Sequence, residues 1–485
     1  MNFNLVEMYN GLLRFNKHIL NELAEGLKHL PNLDGVSKGD SLIINEQGNP
    51  AWGSATFIPT FENAAYGIEW TKDDNDIIRI GNAKFHRELP IQNRLKGCVY
   101  NEKKISYFLN PTGWAKPLEN GLVPPLDGSD GDVGVRVPEF YMCVKDTGTK
   151  YQLWISDFNI DGTFTRVHPF IISHTKTMTR TREDGKEEVF SACIKHDDTR
   201  YLGGNKSSSV VATKLQGRPR TGINYDKANE FCANRGDWIT MIDYLEYCAL
   251  QALCYIEYAN FDNQAVLNTN LTSDGFKQGG LGTGVTNLNW ERWTAFNGNN
   301  PIVQTYWSVE HNIGNGNTNG DHYELSAYND DGSNFSTYPA FYHGIHLFGD
   351  IWSFVRDVVI INKNADYNSV YLLKKGVAHA DVTVDNVDEK CYFIGYQANT
   401  NNYITEFDLQ RGPYFVPNLV GTNKKFDYNY IRGSNGQDTD KSVRVLLVGG
   451  CATYGSEAGS GGFYSGWVRS VSDAAVGFFT TVKLD

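Results

Sequence analysis

The stretch Gly344–Val358, GIHLFGDIWSFVRDV, constrains the fold of this chain more than any other. Leu347, Phe348, Ile351, Trp352, Phe354, Val355 and Val358 are apolar, and Asp350, Ser353, Arg356 and Asp357 are left to face water or make polar bonds. Asp350 stands where an N-cap would, one residue before a short apolar turn. Trp352 and Val355 are three apart and would share a face on a helical turn. Val358-Val359-Ile360-Ile361 is β-branched and reads as a buried strand. The segment is therefore expected to be a one-turn helix feeding a core strand, with Trp352 in the core. It carries no nucleophile and no metal-ligand set.

At 485 residues the chain exceeds one ordinary core, so two or three domains are expected. Aromatic content of 13% and 48 glycines favour turn-rich β-structure with aromatic contact residues. A net charge of −12 argues against a basic nucleic-acid footprint. No 18-residue apolar run is present, so no membrane insertion is expected. The first twenty residues show no basic region followed by an unbroken apolar core, so export by a Sec-type signal is not expected. The eight cysteines, at 98, 143, 193, 232, 248, 254, 391 and 451, form no CxxC pair and read as buried free thiols of a protein made in a reducing cytoplasm.

In chain order, Leu5, Met8, Leu12, Phe15, Ile19, Leu23 and Leu27 recur near heptad spacing, predicting a helix over 3–30 stopped by Pro31. Such a narrow stripe wants sister helices or a socket on another protein. Residues 32–130 read as a β-rich neck of short strands and tight turns. A head domain is expected over 131–485, with insertions at about 180–220 and 265–340. Within it, the alternation of Phe140, Met142 and Val144 with Tyr151, Leu153 and Ile155 predicts a hairpin. Asn224 is expected to cap a helix ended by Gly236, with Tyr225, Ala228, Phe231 and Cys232 on one face. A second helix, with Thr240 and Asp243 spaced as a capping box, runs to about Tyr258 and is apolar on most sides.

Each polar cluster also has a plainer reading. Asn315–Asp321 imitates the start of an EF-hand loop, but position twelve is Ser326, so a surface turn is expected. The carboxylates of Asp127–Asp132 suit a tight turn as well as a cation. Lys195-His196-Asp197-Asp198 has no second His at ligand spacing and reads as a solvated face. His168 and His174, and the pairs Glu310-His311 and Asp321-His322, read as packing or surface residues. No metal and no cofactor are expected.

Three sets of segments resemble known families. Gly349–Asp357 is similar to the G-N-V-W-E-W-V-x-D segment of the formylglycine-generating-enzyme-like branch of the C-type lectin fold, and Ala228–Cys232, Trp238–Thr240 and Tyr244–Glu246 resemble its helical elements. Gly67–Trp70, Arg79–Asn82, Leu89–Gln92, Leu126–Gly131 and Val137–Tyr141 resemble tail proteins of phages infecting gut bacteria. Leu446–Gly459 resembles the L-L-V-G-G-x-A-x-x-G-x-x-A-G frame of variable proteins diversified by retroelements. Together these imply an α+β chain: an N-terminal helix of coiled-coil type, a β neck, and a C-type-lectin-like head with two buried helices and antiparallel strands. The enzymes of that branch need a cysteine pair or an H-x-x-x-H-x-E triad; here only Cys451 stands near the C-terminus and the triad is missing, so catalysis is not carried over.

The resemblance implies a virion fibre protein made in the host cytoplasm, a phage tail fibre whose head binds a bacterial surface glycan or outer-membrane protein. It would be a homotrimer docked to other virion proteins through its N-terminal helix. A head-fibre or collar decoration protein, and an enzyme of the same branch, are the alternatives. Within Ala452–Ala475, the expected receptor contacts are Tyr454, Glu457, Tyr464, Trp467 and Arg469, because Tyr and Trp give rigid amphipathic contact area and charged groups give directed hydrogen bonds.

Overall fold

The computed structural model describes residues 58–484, except 73–75, 195–216, 288–301, 321–322, 325–335, 338, 363–365, 424–425 and 432–441, and the backbone of 41–44 and 50–53. The helix expected over 3–30, and with it the trimerisation stripe, lies outside the described residues. Met1–Pro59 is one unit, in which Ser41–Ile44 pairs antiparallel with Pro50–Gly53. Thr60–Asp485 is the other.

The α+β, lectin-like architecture expected from the resemblance is not what forms. Strand makes up 38% of the structure and helix 17%, and the largest element is a sheet that curls almost into a barrel. The two helices that carried the resemblance are present, but they serve an assembly built from sheets. The expected division at 131 cuts across strand pairing. Ala65–Thr71 pairs with Lys150–Ser156, and Lys96–Asn101 with Asp132–Val137, so strands assigned to neck and head share the same sheets.

Three large sheets build the unit, beside four two-stranded ones among the described residues. A five-stranded sheet runs in the order 165–167, 140–146, 150–156, 65–71, 77–81. A six-stranded sheet runs 240–241, 480–483, 170–173, 132–137, 96–101, 104–108, so the last strand of the chain closes onto one of its earlier ones. The nine-stranded sheet is made by β1 (Trp352–Asn362), β2 (Tyr367–Leu373), β3 (Cys391–Ala398), β4 (Asn402–Asp408), β5 (Val416–Gly421), β6 (Tyr428–Tyr430), β7 (Val443–Val448), β8 (Phe463–Val468) and β9 (Val476–Phe478). Its order is β3-β2-β1-β7-β8-β6-β4-β5, with β9 added parallel to β1. The curl brings β3 back against β5. The Tyr396 amide of β3 donates to Oδ2 of Asp408, the last residue of β4, at 3.1 Å.

Helix α1 (Tyr225–Arg235) forms as its sequence requires. Asn224 accepts from the Lys227 amide, Gly236 ends it, and Tyr225, Ala228, Phe231 and Cys232 are its buried face. Helix α2 (Tyr244–Tyr258) is buried at every position but Leu245. Its capping box is Asp243 with Glu246; Thr240 lies in a short strand that pairs with Thr481. Residues of α2 pack in one core with strands of all three sheets, which makes the helix the central beam of the unit.

The Trp352 segment is a strand and not a helical turn, and the reason lies in its partners. Ser353–Val355 pairs with Leu446–Val448 on one side, and Trp352–Phe354 with Val476–Phe478 on the other, so both edges of the backbone are satisfied by other strands. Strand alternation puts Trp352 and Val355 on opposite faces: Trp352 packs with Phe354, Leu447 and Phe478, while Val355 joins the α2 core. The register then breaks between Val355 and Ile360. The shift returns Val358 and Ile360 to the α2 side. Arg356 and Asp357, at the break, turn to the start of α2. Arg356 Nε donates to Asp243 Oδ1 at 2.7 Å, and the Tyr244 amide donates to Asp357 Oδ1 at 2.8 Å.

Candidate functional site

The outer face of the nine-stranded sheet carries a ladder of aromatic rings. Trp352 forms its floor at 3% exposure, with Tyr430 at 9%. Three tyrosines surround the indole at ring-centre distances of 5.8 Å for Tyr430, 5.4 Å for Tyr454 and 5.6 Å for Tyr464. The ladder continues from Tyr430 to Tyr428 at 4.5 Å and on to Tyr403 at 5.1 Å. At the other end Tyr464 meets Trp467 at 5.9 Å, edge to face. Tyr403, Tyr428, Tyr454, Tyr464 and Trp467 are half-buried, so each ring gives one side to the ladder and keeps another toward solvent.

Local backbone explains how residues distant in sequence meet. β6 and β8 pair in parallel with Tyr430 beside Tyr464. Tyr464 and Trp467 are three apart, which on a regular strand would separate them by face. A register break in the β7–β8 pairing, between Val445 and Leu447, brings both rings to the same side. Gly466 sits under the Tyr464 ring, where a Cβ would lie 2.6 Å from its hydroxyl oxygen. Tyr454 and Glu457 come from the short 3-10 segment Ala452–Glu457, which folds over the floor.

The polar atoms of the ladder are few and placed at its margin. The Tyr430 hydroxyl donates to Glu457 Oε2. Burial, reinforced by that carboxylate, pushes the Tyr430 phenol well up, so it stays a donor at neutral pH. The Tyr403 hydroxyl lies 3.2 Å from Ser456 Oγ. Such a surface stacks on an apolar ring face or aliphatic side chain and offers hydroxyls at its edge.

Of the five residues expected to contact a receptor, Tyr454, Glu457, Tyr464 and Trp467 are brought together here. Arg469 points elsewhere: its Nη1 pairs with both Asp226 oxygens at 3.0 and 3.1 Å, and its carbonyl accepts from the Tyr225 amide, so it fastens the chain after β8 to α1. Tyr403, Tyr428 and Tyr430 join the ladder without having been expected there. The alternating Tyr428-Asn429-Tyr430 is the signal that could have found two of them, since on a strand both rings must share a face.

The other clusters have structural roles. Asn315 Oδ1 accepts from the Gly97 amide and Trp114 Nε1, and Asn317 Nδ2 donates to Glu257 and the Tyr258 hydroxyl, so the EF-hand-like residues clamp the core. Asp127, Asp130 and Asp132 diverge to Ser129, Tyr107 and Arg235. His168 is exposed, His174 is buried against Thr305, and His311 stacks on Trp307. Lys195–Asp198 and Asp321-His322 lie outside the described residues. All eight cysteines are buried and unpaired. Burial pushes the Cys451 thiol up to about 12, which denies it a thiolate. Among the described residues no group of three or more His, Cys, Asp or Glu is arranged to hold a metal. No protein-family model matches the sequence, and no curated protein matches it.

Proposed function

We propose that this chain is a binding protein of a virion fibre, and that the outer aromatic face is where it meets the bacterial surface. The observation that carries this reading is the exposure gradient along the ladder. Trp352 and Tyr430 are core, whereas Tyr403, Tyr428, Tyr454, Tyr464 and Trp467 are only partly buried. Half-open Tyr and Trp on a rigid sheet give large contact area at small entropy cost, the property that binding surfaces use. An apolar ring face with hydroxyls at its edge suits a glycan, whose own rings have apolar faces and polar rims. The likeness of residues 67–141 to phage tail proteins supports a place on the particle, and the stripe over 3–30 supports a trimer, which sedimentation of the intact chain tests.

The direct test is binding of fluorescently labelled protein to a panel of bacterial strains. Saturable labelling of a subset of strains is expected. Uniform background on every strain, equal to that of an unrelated labelled protein, would contradict the reading.

A further inference from the structure

Lys176 follows the strand Phe170–Ser173, and Asp350 lies in the turn that opens β1. Lys176 Nζ is 2.9 Å from Asp350 Oδ1, and both side chains have 0% exposure. Taking two charges wholly out of water is costly, and their attraction seldom restores the loss. The surroundings do little to hydrate the ammonium: its other neighbours are the Gly349 carbonyl at 3.5 Å and the Phe479 ring at 5.3 Å.

The carboxyl group is held as an electrophile would be. The Ile351 amide donates to Oδ1 at 2.6 Å and the Val303 amide to Oδ2 at 3.3 Å. Asp350 itself has φ of +38°, a left-handed conformation that fixes the turn. Beside it His346 Nδ1 lies 3.6 Å from Oδ2, and among the described residues neither ring nitrogen of His346 has a hydrogen-bond partner. Burial lowers the imidazole to about 3, so it is neutral. Phe341 stacks on its ring at 5.1 Å.

We propose that Lys176 and Asp350 condense to an intramolecular isopeptide bond. The ammonium gives one proton to Oδ1, its partner at 2.9 Å, and the freed amine lone pair attacks Cγ to form the Nζ–Cγ bond. The oxyanion that develops on Oδ2 is met by the Val303 amide, with His346 Nδ1 3.6 Å away. A second proton then passes from Nζ to Oδ1. The Cγ–Oδ1 bond breaks, Oδ1 departs as water, and Oδ2 becomes the amide carbonyl. Two buried charges are lost, one water is released and no oxidant or co-reactant is consumed.

Other pairs lack these features. Lys277, paired with Glu257, is 36% exposed, and Lys483, paired with Asp243, is 56% exposed. Asp132 is buried against Arg235, whose guanidinium does not give up a proton. The Lys176–Asp350 bond would close a span of 174 residues and tie the six-stranded sheet to the nine-stranded one, a covalent clamp against pulling.

The test is the intact mass of the purified full chain under denaturing conditions, followed by tryptic mapping. The mass is expected to be one water below that of the sequence, with one branched peptide containing Lys176 and Asp350. Lys176→Met is expected to restore the full mass, and Asp350→Asn to lose ammonia in place of water. His346→Phe is expected to leave a mixture of linked and unlinked chains. A wild-type chain of full mass that melts in one cooperative transition overturns the proposal. So does a Lys176→Met chain still one water short, since the dehydration would then lie elsewhere. Complete linkage in His346→Phe overturns the part given to the imidazole.

Discussion

The nine-stranded sheet carries an aromatic cluster on each of its faces, and the two differ in exposure more than in ring spacing. On the inner side Phe261 and Phe426 stand 4.2 Å apart, Phe407 and Phe426 4.4 Å, and Phe407 and Phe415 5.3 Å. On the outer side Tyr430 stands 4.5 Å from Tyr428 and 4.5 Å from Tyr454. Ring distances therefore do not separate core from site. None of these four Phe rings exceeds 2% exposure, and the α2 tyrosines packed with them are as closed, Tyr244 and Tyr247 donating their hydroxyls to the Phe415 and Ser460 carbonyls. The outer rings are all Tyr or Trp, and exposure rises from Trp352 toward both ends. A phenol in a closed core needs an internal partner for its polar atom, as Tyr244 and Tyr247 have, whereas at a wet boundary water can supply it. Exposure, more than ring type, distinguishes the two faces.

The largest expected effect belongs to the inner face. Phe426→Ala should cost about 3–5 kcal/mol of stability, because the cavity it leaves is enclosed by other rings. Molecules that remain folded should bind as the wild type does. Chemical denaturation beside a binding titration corrected for folded fraction checks both halves. Trp352→Ala should lose stability and binding together, since the same ring floors the outer ladder.

On the outer face, Trp467→Ala should weaken binding by about 2 kcal/mol or more, roughly thirtyfold, while shifting the melting temperature by a few degrees at most. Tyr464→Ala should be less clean, because Tyr464 also covers Trp352. Equal losses of stability from Trp467→Ala and Phe426→Ala would erase the distinction between the faces.

The inner face should also be the pH-sensitive one. At the foot of α2, burial and then the Asp243 carboxylate push Glu246 up to about 8 from its ordinary 4.5. A carboxyl raised on folding stabilises fully below its unfolded value, and that contribution is lost as pH rises toward the folded one. Glu246→Gln should therefore gain melting temperature relative to wild type progressively from pH 5 to 8, on the order of a few degrees. Taking the difference between the two chains cancels the buried histidines, which titrate in both. A constant difference across that range would contradict this assignment. Smallest of all, Cys451→Ser should leave binding unchanged and cost about 1 kcal/mol or less, with Thr453 Oγ1 already 3.3 Å from the sulfur.

Local signals in the sequence are legible where one segment settles its own structure. The cap at Asn224, the stop at Gly236, the all-round burial of α2 and the 140–156 hairpin follow from spacing alone. The eight buried thiols and the core position of Trp352 do too. What is not legible is set by partners far away in the chain. Val355 leaves the Trp352 face because β7 and β9 hold both edges of β1, and Trp467 joins Tyr464 because the β7–β8 register slips. The fold class escapes a local reading for the same reason. Two well-formed helices dominate such a reading, but the closure of 391–398 onto 416–421 is written in no single window. Arg469 looks available in the sequence because Asp226, its partner, lies 243 residues earlier.

The measurement closest to the central claim uses a double variant on the two arms of the ladder, Tyr428→Ala with Trp467→Ala. Labelled wild-type and variant proteins are titrated onto a bacterial strain that the wild type labels, and melts are recorded on the same samples. The account predicts that the variant melts within a few degrees of wild type and loses saturable binding. A variant that melts normally and binds with wild-type affinity would contradict it.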